Sequence, residues 1–321
     1  MVTTVVRFLP EHLSAVLVTE ELAFTAARDA LIAAADGQAE VFPAVLGHGS
    51  EQRNRFTVKS GASAELAGVK IGSYWPGNAD RGLPRHNSVV LLFDQDNGRI
   101  GAVVEAGVVN AYRTAAADAV AASVLARPDA TTLTVFGTGH QALYECAALA
   151  RVLPLTAVHV VARDRQRGED FLTRLAERGL TGWLTPAEQA CRDADVIVTA
   201  TTATAPPFDA AWVRPGTHVA AMGADAHGKQ ELPVELLTTA RLFCDLPAQA
   251  VRIGELQHVA GLVGDGTLTL TAIGDVLTGQ AEGRRRNDEI TVFDSSGIAL
   301  QDLFIADALL QAAATEREAI S

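Results

Sequence analysis

A single stretch, from Thr132 to Asp164, constrains the fold of this chain more than any other: TLTVFGTGHQALYECAALARVLPLTAVHVVARD. An apolar, β-rich run enters a glycine-rich loop, a helical pattern starts at His140, and a second β-rich run, AVHVVA, follows. The alternation continues through GWL, DADVIVTATT, THVAAMG, ARLFCD and ITVFDSSG. Strands that alternate with helices at this spacing predict a parallel, doubly wound sheet, and short apolar strands fit a sheet covered on both faces. We expect this domain to span residues 116–297.

The loop GTGHQA lies between a strand and a helix, which is the context that gives a G-x-G-x-x-A match its meaning. Gly137 permits the tight turn, Gly139 lets the backbone approach a pyrophosphate, and Ala142 allows close helix–strand packing. Backbone amides at the helix N-terminus then point toward the phosphates. The candidate cofactor-binding residues of this loop are Gly137, Thr138, Gly139, His140 and Gln141. The pattern predicts a Rossmann-type dinucleotide-binding domain; the alternative is a glycine-rich turn that binds no ligand.

The end of the second strand distinguishes NAD(H) from NADP(H). An NAD-specific site has an acidic residue there, about 20 residues beyond the glycines, that binds the ribose hydroxyls. Here the strand ends in HVVARDRQR, and Arg163 is suited to a 2′-phosphate. Asp164 is either a displaced NAD-type acid or a helix N-cap. The sequence therefore favours NADP(H) over NAD(H). Further candidates for cofactor contact, at the ends of two later strands, are Thr199, Thr201 and Met222.

The N-terminal part of the chain, residues 1–115, mixes helix and strand signals. TEELAFTAARDALIAAADG repeats apolar residues at helical spacing, from a Thr19 cap to a stop near Gly37. Short β-rich runs follow, and DQDNG between two of them indicates a hairpin. We expect an α+β domain with a mainly antiparallel sheet. The C-terminal stretch, residues 298–321, reads as an amphipathic helix that packs back on this domain.

Composition excludes several classes of protein. The formal net charge of −12 argues against nucleic-acid binding, and no apolar run reaches the ~20 residues that a membrane-spanning helix needs. The N-terminus lacks the basic region and cleavage site of a signal peptide, so we expect a cytoplasmic protein. The 3 cysteines and 8 histidines show no metal-ligand spacing, and we expect no metal site.

Several motifs, in one order and spacing, resemble the ornithine cyclodeaminase/μ-crystallin family: AGVKIGSYWPGN, RGLP, VVNAYRTAAADAVAASVLARPDA, FGTGHQA and MGADAHGKQEL. The resemblance runs from about Phe42 to Gly297. It implies a nucleotide-binding domain, an α+β domain that dimerises by joining sheets, and hydride transfer between a nicotinamide and an amino or imino acid. Members include cyclodeaminases, alanine dehydrogenases and ketimine reductases. The same resemblance implies a homodimer.

Three residues match the positions that carry the family's chemistry. Lys70 matches a lysine that contacts the substrate carboxylate and takes part in proton transfer, a role that needs a pKa lowered by burial. Arg113 matches a carboxylate-binding arginine, for which a planar guanidinium is suited. Asp225 matches the catalytic aspartate, and it follows a parallel strand at the sheet edge where ligands bind. Taken without the resemblance, these residues read as a strand lysine, a helix-surface arginine and a turn acid.

The chain also departs from the family pattern. Val45 stands where many members have a second carboxylate-binding arginine, and GLPRHNS has Arg85 and His86 where the family has a threonine after the proline. Lys59 lies on a strand that leads toward Lys70. Lys59, Arg85 and His86 are therefore candidate substrate-binding residues, and none favours a substrate with a second ammonium group.

The favoured function is reduction of an imine, or oxidation of the corresponding amino acid, on a small or acidic substrate of the alanine or aspartate/iminosuccinate type. Two alternatives stay open. One is an ornithine cyclodeaminase that converts L-ornithine to L-proline and ammonia with bound NAD. The other is a non-catalytic, NADPH-binding protein of the crystallin kind. Solvent-facing orientations of Lys59 and Arg85 would remove the argument against ornithine.

Overall fold

The computed structural model describes residues 6–37 and 39–320. It divides into two compact units. One extends to Arg113 and includes the chain from Ile298 onward, and the other is Thr114–Gly297. Among the described residues, no helix is both long enough and apolar enough to cross a membrane.

The strands of the described residues, in chain order, are β1 (Arg7–Leu9), β2 (Glu40–His48), β3 (Arg55–Ala62), β4 (Ala67–Tyr74), β5 (His86–Phe93), β6 (Ile100–Glu105), β7 (Thr132–Phe136), β8 (Ala157–Val161), β9 (Gly182–Leu184), β10 (Val196–Thr199), β11 (His218–Ala221), β12 (Arg241–Cys244), β13 (Leu270–Ala272) and β14 (Thr291–Asp294). The α-helices are α1 (Glu11–Leu17), α2 (Glu20–Ala35), α3 (Val109–Leu125), α4 (His140–Val152), α5 (Arg165–Glu177), α6 (Ala187–Asp193), α7 (Val234–Thr239), α8 (Pro247–Ile253), α9 (Ala260–Gly264), α10 (Ile273–Leu277) and α11 (Ala299–Ile320). Short 3-10 helices lie at Pro76–Arg81, Ala210–Trp212 and Glu255–Val259.

The first unit is built on a six-stranded sheet with the order β1-β6-β5-β4-β3-β2. Only the β1–β6 pair is parallel, which confirms the predicted mainly antiparallel sheet. The hairpin between β5 and β6 is the one that DQDNG indicates: the Asp94 N–H donates to the Arg99 carbonyl (2.8 Å), and Gly98 has φ +72°. A positive φ at this turn favours glycine.

Helix α2 follows from its sequence signals. The Thr19 hydroxyl accepts a hydrogen bond from the Leu22 N–H (3.1 Å), which satisfies one donor of the first turn, and Glu20 and Glu21 complement the helix dipole. Its alanine-rich face is buried, and it packs against α11. Helix α11 also packs on β3, β4 and β5. Small side chains on α2 permit this close helix packing.

The second unit holds an eight-stranded, all-parallel sheet with the order β13-β12-β14-β11-β10-β7-β8-β9. This confirms the predicted doubly wound fold, and β10, β11 and β14 are buried along their whole length, as strands covered on both faces are. The chain continues from β7 to β8 on one side, while β10 pairs with β7 on the other. The strand order therefore reverses beside β7, and ligands bind at the carboxyl ends of the strands at such a point.

Candidate active site

The glycine loop begins where β7 ends at this reversal point. Gly137 has φ +117°, and a Cβ there would lie 2.7 Å from the Ala200 carbonyl oxygen, so the turn accepts only glycine. At Gly139, by contrast, a Cβ would meet nothing within 4 Å. The bare backbone at Gly139 thus borders open space, which is the surface that a pyrophosphate approaches in a dinucleotide-binding fold.

Helix α4 starts directly after Gly139, which caps it without a side-chain hydrogen bond. Phosphates bind at helix N-termini in such folds, and His140 and Gln141 supply the first amides of α4. Burial, with Arg174 and Arg178 nearby, lowers the pKa of the His140 imidazole, which is therefore neutral at neutral pH. Thr138 is half-buried within the loop.

Behind this loop lies a pair of buried acids that the sequence reading missed. The Gln141 side-chain amide donates to Glu145 (2.7 Å), and Glu145 is fully buried. Asp118 on α3 is also fully buried, and burial raises its pKa to about 7, although a hydrogen bond with Glu145 acts in the opposite direction. A carboxyl group in this state holds a proton near neutral pH, which the pair can share.

The end of β8 presents Arg163 and Asp164 as a loop that leads into α5. Asp164 is the N-cap of this helix, because its carboxylate accepts from the Arg167 N–H (2.8 Å). The sequence left two interpretations of Asp164 open, a displaced NAD-type acid and a helix N-cap. The structure shows the N-cap. Arg163 is exposed immediately before it.

The carboxyl ends of β10 and β11 are held together by Glu231, a second acid that the sequence reading missed. Its carboxylate accepts from the Thr199 hydroxyl (3.0 Å), the Thr201 N–H (2.6 Å) and the Gly223 N–H (2.8 Å). Burial raises the pKa of Glu231, against these hydrogen bonds. The Thr199 hydroxyl is thus engaged inside the unit, and Met222 is nearly buried with its N–H bonded to the Thr199 carbonyl (2.9 Å). The backbone at these strand ends is fixed in place.

Asp225 follows this fixed segment and projects outward, with 58% of its side chain exposed. Lys229 forms an ion pair with it (Nζ to Oδ1, 2.5 Å) and donates to the Gly223 carbonyl as well (3.0 Å). The motif MGADAHGKQEL therefore supplies the acid, the lysine that holds it and the buried glutamate that anchors the segment. Only the acid was identified from the sequence.

The first unit contains a separate, buried cluster around Lys70 and Arg113. The Lys70 ammonium lies 2.9 Å from Asp302 Oδ1 and donates to Asn110 Oδ1 (2.6 Å). Arg113 contacts the same two oxygens, with Nε 3.1 Å from Asp302 Oδ1 and Nη2 donating to Asn110 Oδ1 (2.9 Å). It also donates to Gln301 Oε1 (3.3 Å). The structure therefore brings together the two cations that the resemblance assigned to a substrate carboxylate.

Burial and the neighbouring charges together set the protonation of this cluster. The pKa of Lys70 is about 7: burial lowers it most, Asp302 raises it, and Arg113 and Lys59 also lower it. Burial acts to raise the pKa of Asp302, but Arg113 and Lys70 outweigh it and hold the pKa below its ordinary value. Asp302 is therefore ionised, and Lys70 can gain or lose a proton near neutral pH, as a group that transfers protons must.

The remaining candidate substrate residues lie at different distances from this cluster. Lys59 is directly opposite Lys70 in the β3–β4 register and is half-buried. His86 is opposite Tyr74, four residues along β4 from Lys70, or about 13 Å at the rise of a strand. Its ring contacts that of Tyr74, with centroids 4.7 Å apart. Arg85 precedes it and is exposed. The register thus places Lys59 next to Lys70 and His86 well along the strand.

The sequence analysis did not identify three residues of this cluster, Asn110, Gln301 and Asp302. Two features of the sequence point to them. Asn110 lies one helical turn before Arg113, a spacing that places both on one face of α3. The pair QD interrupts the apolar run IALQDLF on a helix whose inward face is otherwise apolar. An acid on a buried helix face requires a cationic partner.

The fold and these two sites define a Rossmann-type, nicotinamide-dependent oxidoreductase with a second, mixed-sheet unit. The chain belongs to the ornithine cyclodeaminase/mu-crystallin family, whose sequence profile matches residues 11–316. This is a family of NAD(P)-dependent dehydrogenases, reductases and cyclodeaminases.

Comparison with individual proteins agrees with this assignment. The chain is 37% identical over 301 residues to an iminosuccinate reductase of Paracoccus denitrificans (strain Pd 1222), covering 92% of this chain and 93% of that protein. The crystal structure of the iminosuccinate reductase of Paracoccus denitrificans in complex with NAD+ superposes with a TM-score of 0.89 at 35% identity, covering 97% of each chain. An archaeal alanine dehydrogenase dimer with bound NAD gives the same TM-score, 0.89, at 32% identity and 97% coverage of each chain.

Proposed function

We propose that this chain reduces the C=N bond of a small acidic imino acid with NAD(P)H, or catalyses the reverse oxidation, and that iminosuccinate and aspartate are its substrate pair. The observation that carries the proposal is the charge of the buried cluster. Lys70, Arg113 and the adjacent Lys59 all lower the pKa of the Asp302 carboxyl, so three cations lie around this position. A dicarboxylate substrate complements such a group of cations better than a diamine does. The similarity to an iminosuccinate reductase supports this substrate class, and the similarity to an alanine dehydrogenase supports alanine as the second candidate.

The residues of the glycine loop fit a dinucleotide. Gly139 leaves its backbone open, and the first amides of α4, at His140 and Gln141, are the kind of group that binds phosphates in this fold. We assign the contacts along the rest of the cofactor to Thr138, Thr201 and Met222. The bound nicotinamide supplies hydride to the imine carbon in one direction and accepts it in the other.

The chain's own residues supply the remaining steps. Arg113 and Lys70 bind the α-carboxylate, and Lys59 binds the distal one. When hydride adds to the imine carbon, the nitrogen takes up a proton, so that the C=N bond becomes CH–NH. We assign delivery of that proton to Asp225 or to the Lys70 ammonium. In the oxidative direction the same group accepts the proton.

For the nucleotide we propose NADP(H), with Arg163 as the residue that binds the 2′-phosphate. Asp164, the acid beside it, serves as the cap of α5. The two structural relatives contain NAD or NAD+, and NAD(H) is therefore the competing outcome. A wild-type preference for NADPH that falls at least about tenfold in Arg163→Ser supports the proposal. A wild-type preference for NADH overturns it.

We further propose a homodimer formed through the exposed face of the six-stranded sheet. Phe8, Val45 and Ile71 lie on one face and are 57%, 61% and 38% exposed. An apolar face of this kind is typical of a subunit interface. Light scattering after size exclusion should give twice the chain mass, and Ile71→Arg should give a monomer.

The test of the function is the loss of reduced nicotinamide with oxaloacetate and ammonia, pyruvate and ammonia, or no oxo acid, with L-ornithine conversion to proline measured in parallel. Turnover with oxaloacetate and ammonia above that with pyruvate supports the proposal. Proline formation from L-ornithine without net loss of cofactor would make the chain a cyclodeaminase. Binding of a nucleotide without turnover of any substrate would make it a non-catalytic member of the family.

A further inference from the structure

The last helix of the chain places one carboxylate between the two cations of the buried cluster. Asp302 is on α11, which packs on β4, the strand of Lys70, and is 3% exposed. Its Oδ1 lies 2.9 Å from Lys70 Nζ and 3.1 Å from Arg113 Nε. One oxygen atom thus fixes the separation of an ammonium and a guanidinium that would otherwise repel each other.

Asn110 completes the arrangement from the other side. Its Oδ1 accepts from Lys70 Nζ (2.6 Å) and from Arg113 Nη2 (2.9 Å). Two acceptors therefore bridge the same two cations, but only Asp302 carries charge. Asp302→Asn keeps the size of the side chain and removes the negative charge. It therefore separates the effect of the charge from the effect of side-chain packing.

We propose that Asp302 is a positioning residue of the reaction, holding Lys70 and Arg113 side by side as one carboxylate-binding pair and keeping Lys70 protonated until the reaction takes its proton. Asp302 does not contact the reacting atoms in this scheme; it acts through Lys70 and Arg113. The role of Asp302 in catalysis rests on the proposed function. Its effect on the protonation of Lys70 does not.

The direction of the electrostatic effect follows from the groups around Lys70. The pKa of Lys70 is about 7: burial lowers it most, Asp302 on α11 raises it, and Arg113 on α3 and Lys59 on β3 also lower it. Without the carboxylate, burial and the two neighbouring cations favour the neutral amine, while the Asn110 oxygen still accepts a hydrogen bond from Lys70. Lys70 in Asp302→Asn should therefore lose its proton at a pH lower by at least about 1 unit, as expected when an opposite charge in contact is removed.

The experiment uses the small number of lysines in the chain, which are Lys59, Lys70 and Lys229. Protein labelled with 13C at lysine Cε gives one signal for each, and Lys70→Arg assigns the signal of Lys70. We expect its titration midpoint to fall in Asp302→Asn and to stay unchanged in Asp307→Asn, a matched change on the same helix at an acid bonded to Gln311. Lys229, in the other unit, serves as an internal reference. An unchanged Lys70 midpoint in folded Asp302→Asn overturns the inference.

Kinetics supply the second measurement. Imine reduction should lose activity as Lys70 deprotonates, so the alkaline limb of kcat/KM should move to lower pH in Asp302→Asn, with partial recovery in Asp302→Glu. A uniform loss of activity with an unchanged pH profile would make Asp302 merely structural and overturn its proposed role. A wild-type enzyme that reduces no imine refutes the proposed function instead, and the lysine titration still decides the electrostatic claim. Thermal melting confirms that each variant is folded, and Asp302→Ser, which also removes the charge, replaces Asp302→Asn if the latter is not.

Discussion

Lys229 Nζ lies 2.5 Å from Asp225 Oδ1, so the acid assigned to proton transfer is held by a lysine four residues further along the chain. Lys229 is itself anchored by the Gly223 carbonyl, and Gly223 is bonded to the buried Glu231. The exposed carboxylate of Asp225 is thus connected to the interior of the unit through a chain of polar contacts. Its orientation depends on that connection, because more than half of its side chain touches solvent.

Replacing Lys229 should therefore reduce kcat more than it reduces the affinity for the dinucleotide. In Lys229→Met, Asp225 loses this ion pair, and we expect kcat to fall about ten- to a hundredfold with little change in the affinity for the dinucleotide, since a misplaced catalytic group has effects of this size. Steady-state kinetics with nucleotide titration measure both quantities. Arg286→Met, which breaks an exposed pair with Asp288, is the matched control. Equal kcat values in the two variants would remove Asp225 from its assigned role.

The two glycines of the loop give a test of dinucleotide binding that is independent of catalysis. Gly139→Ala adds a methyl group that meets no protein atom, so the fold should keep its melting temperature while the affinity for the dinucleotide falls at least about tenfold. Gly137→Ala should destabilise the protein, because φ +117° and the nearby Ala200 carbonyl exclude a Cβ. Calorimetric binding and thermal melting separate the two effects. Undiminished nucleotide affinity in Gly139→Ala would show that this loop is not the phosphate site.

The sequence predicts those parts of the molecule that depend on local periodicity and turn chemistry. The strand–helix alternation, the Thr19 cap and the turn after Asp94 are all encoded within a few residues, and the structure confirms each of them. The partners of the site residues depend instead on contacts between distant segments. Asp302 meets Lys70 from a helix more than two hundred positions away, and no local pattern specifies that pairing.

The burial of an acidic residue also cannot be predicted from its neighbours in the sequence. Asp118 lies in an alanine-rich helix, where a lone acid looks like a surface residue, yet it is fully buried. The same holds for Glu231 in MGADAHGKQEL, which the structure places beneath two strand ends. The sequence therefore offered candidate ligand contacts, but it did not reveal the buried acids that lie behind them.

Asp118 should make the stability of the protein depend on pH. Its pKa is about 7 in the folded state and near 3.8 without burial, so between these values the folded state binds the extra proton. The free energy of unfolding should then decrease as the pH rises from about 4 to about 7, with a slope of up to ~1.4 kcal/mol per pH unit from this group. Asp118→Asn should remove that part of the slope and be more stable than the wild type at pH values above about 7. Denaturant unfolding across the pH range measures it.

An exposed carboxylate provides the control for this prediction. Asp170 lies on the surface of α5 and accepts from Gln166, so Asp170→Asn should keep the wild-type pH dependence. If Asp118→Asn and Asp170→Asn gave the same slope, the buried acid pair would not be the source of the effect.

Lys59 is the residue that should separate acidic from neutral substrates. It lies opposite Lys70 in the β3–β4 register, so a substrate whose α-carboxylate is bound by Lys70 and Arg113 can present a second carboxylate to it. In Lys59→Met we expect KM for the oxaloacetate-derived imine to rise about tenfold, equivalent to ~1.4 kcal/mol, while KM for the pyruvate-derived imine changes little. Arg85→Met is the control, because Arg85 is the other cation that the sequence offers for a distal carboxylate. A selectivity change in Arg85→Met alone would transfer this role to the loop before β5.

The same variant should also move the pH profile, in the direction opposite to Asp302→Asn. Lys59 lowers the pKa of Lys70, whose value is about 7, so its removal raises that pKa and keeps the Lys70 ammonium to higher pH. The alkaline limb of imine reduction should then shift upward in Lys59→Met and downward in Asp302→Asn. Lys59→Met removes a positive charge near Lys70 and Asp302→Asn removes a negative one. Shifts of the alkaline limb in opposite directions would therefore identify Lys70 as the group that titrates. Shifts in the same direction would mean that another group controls the alkaline limb.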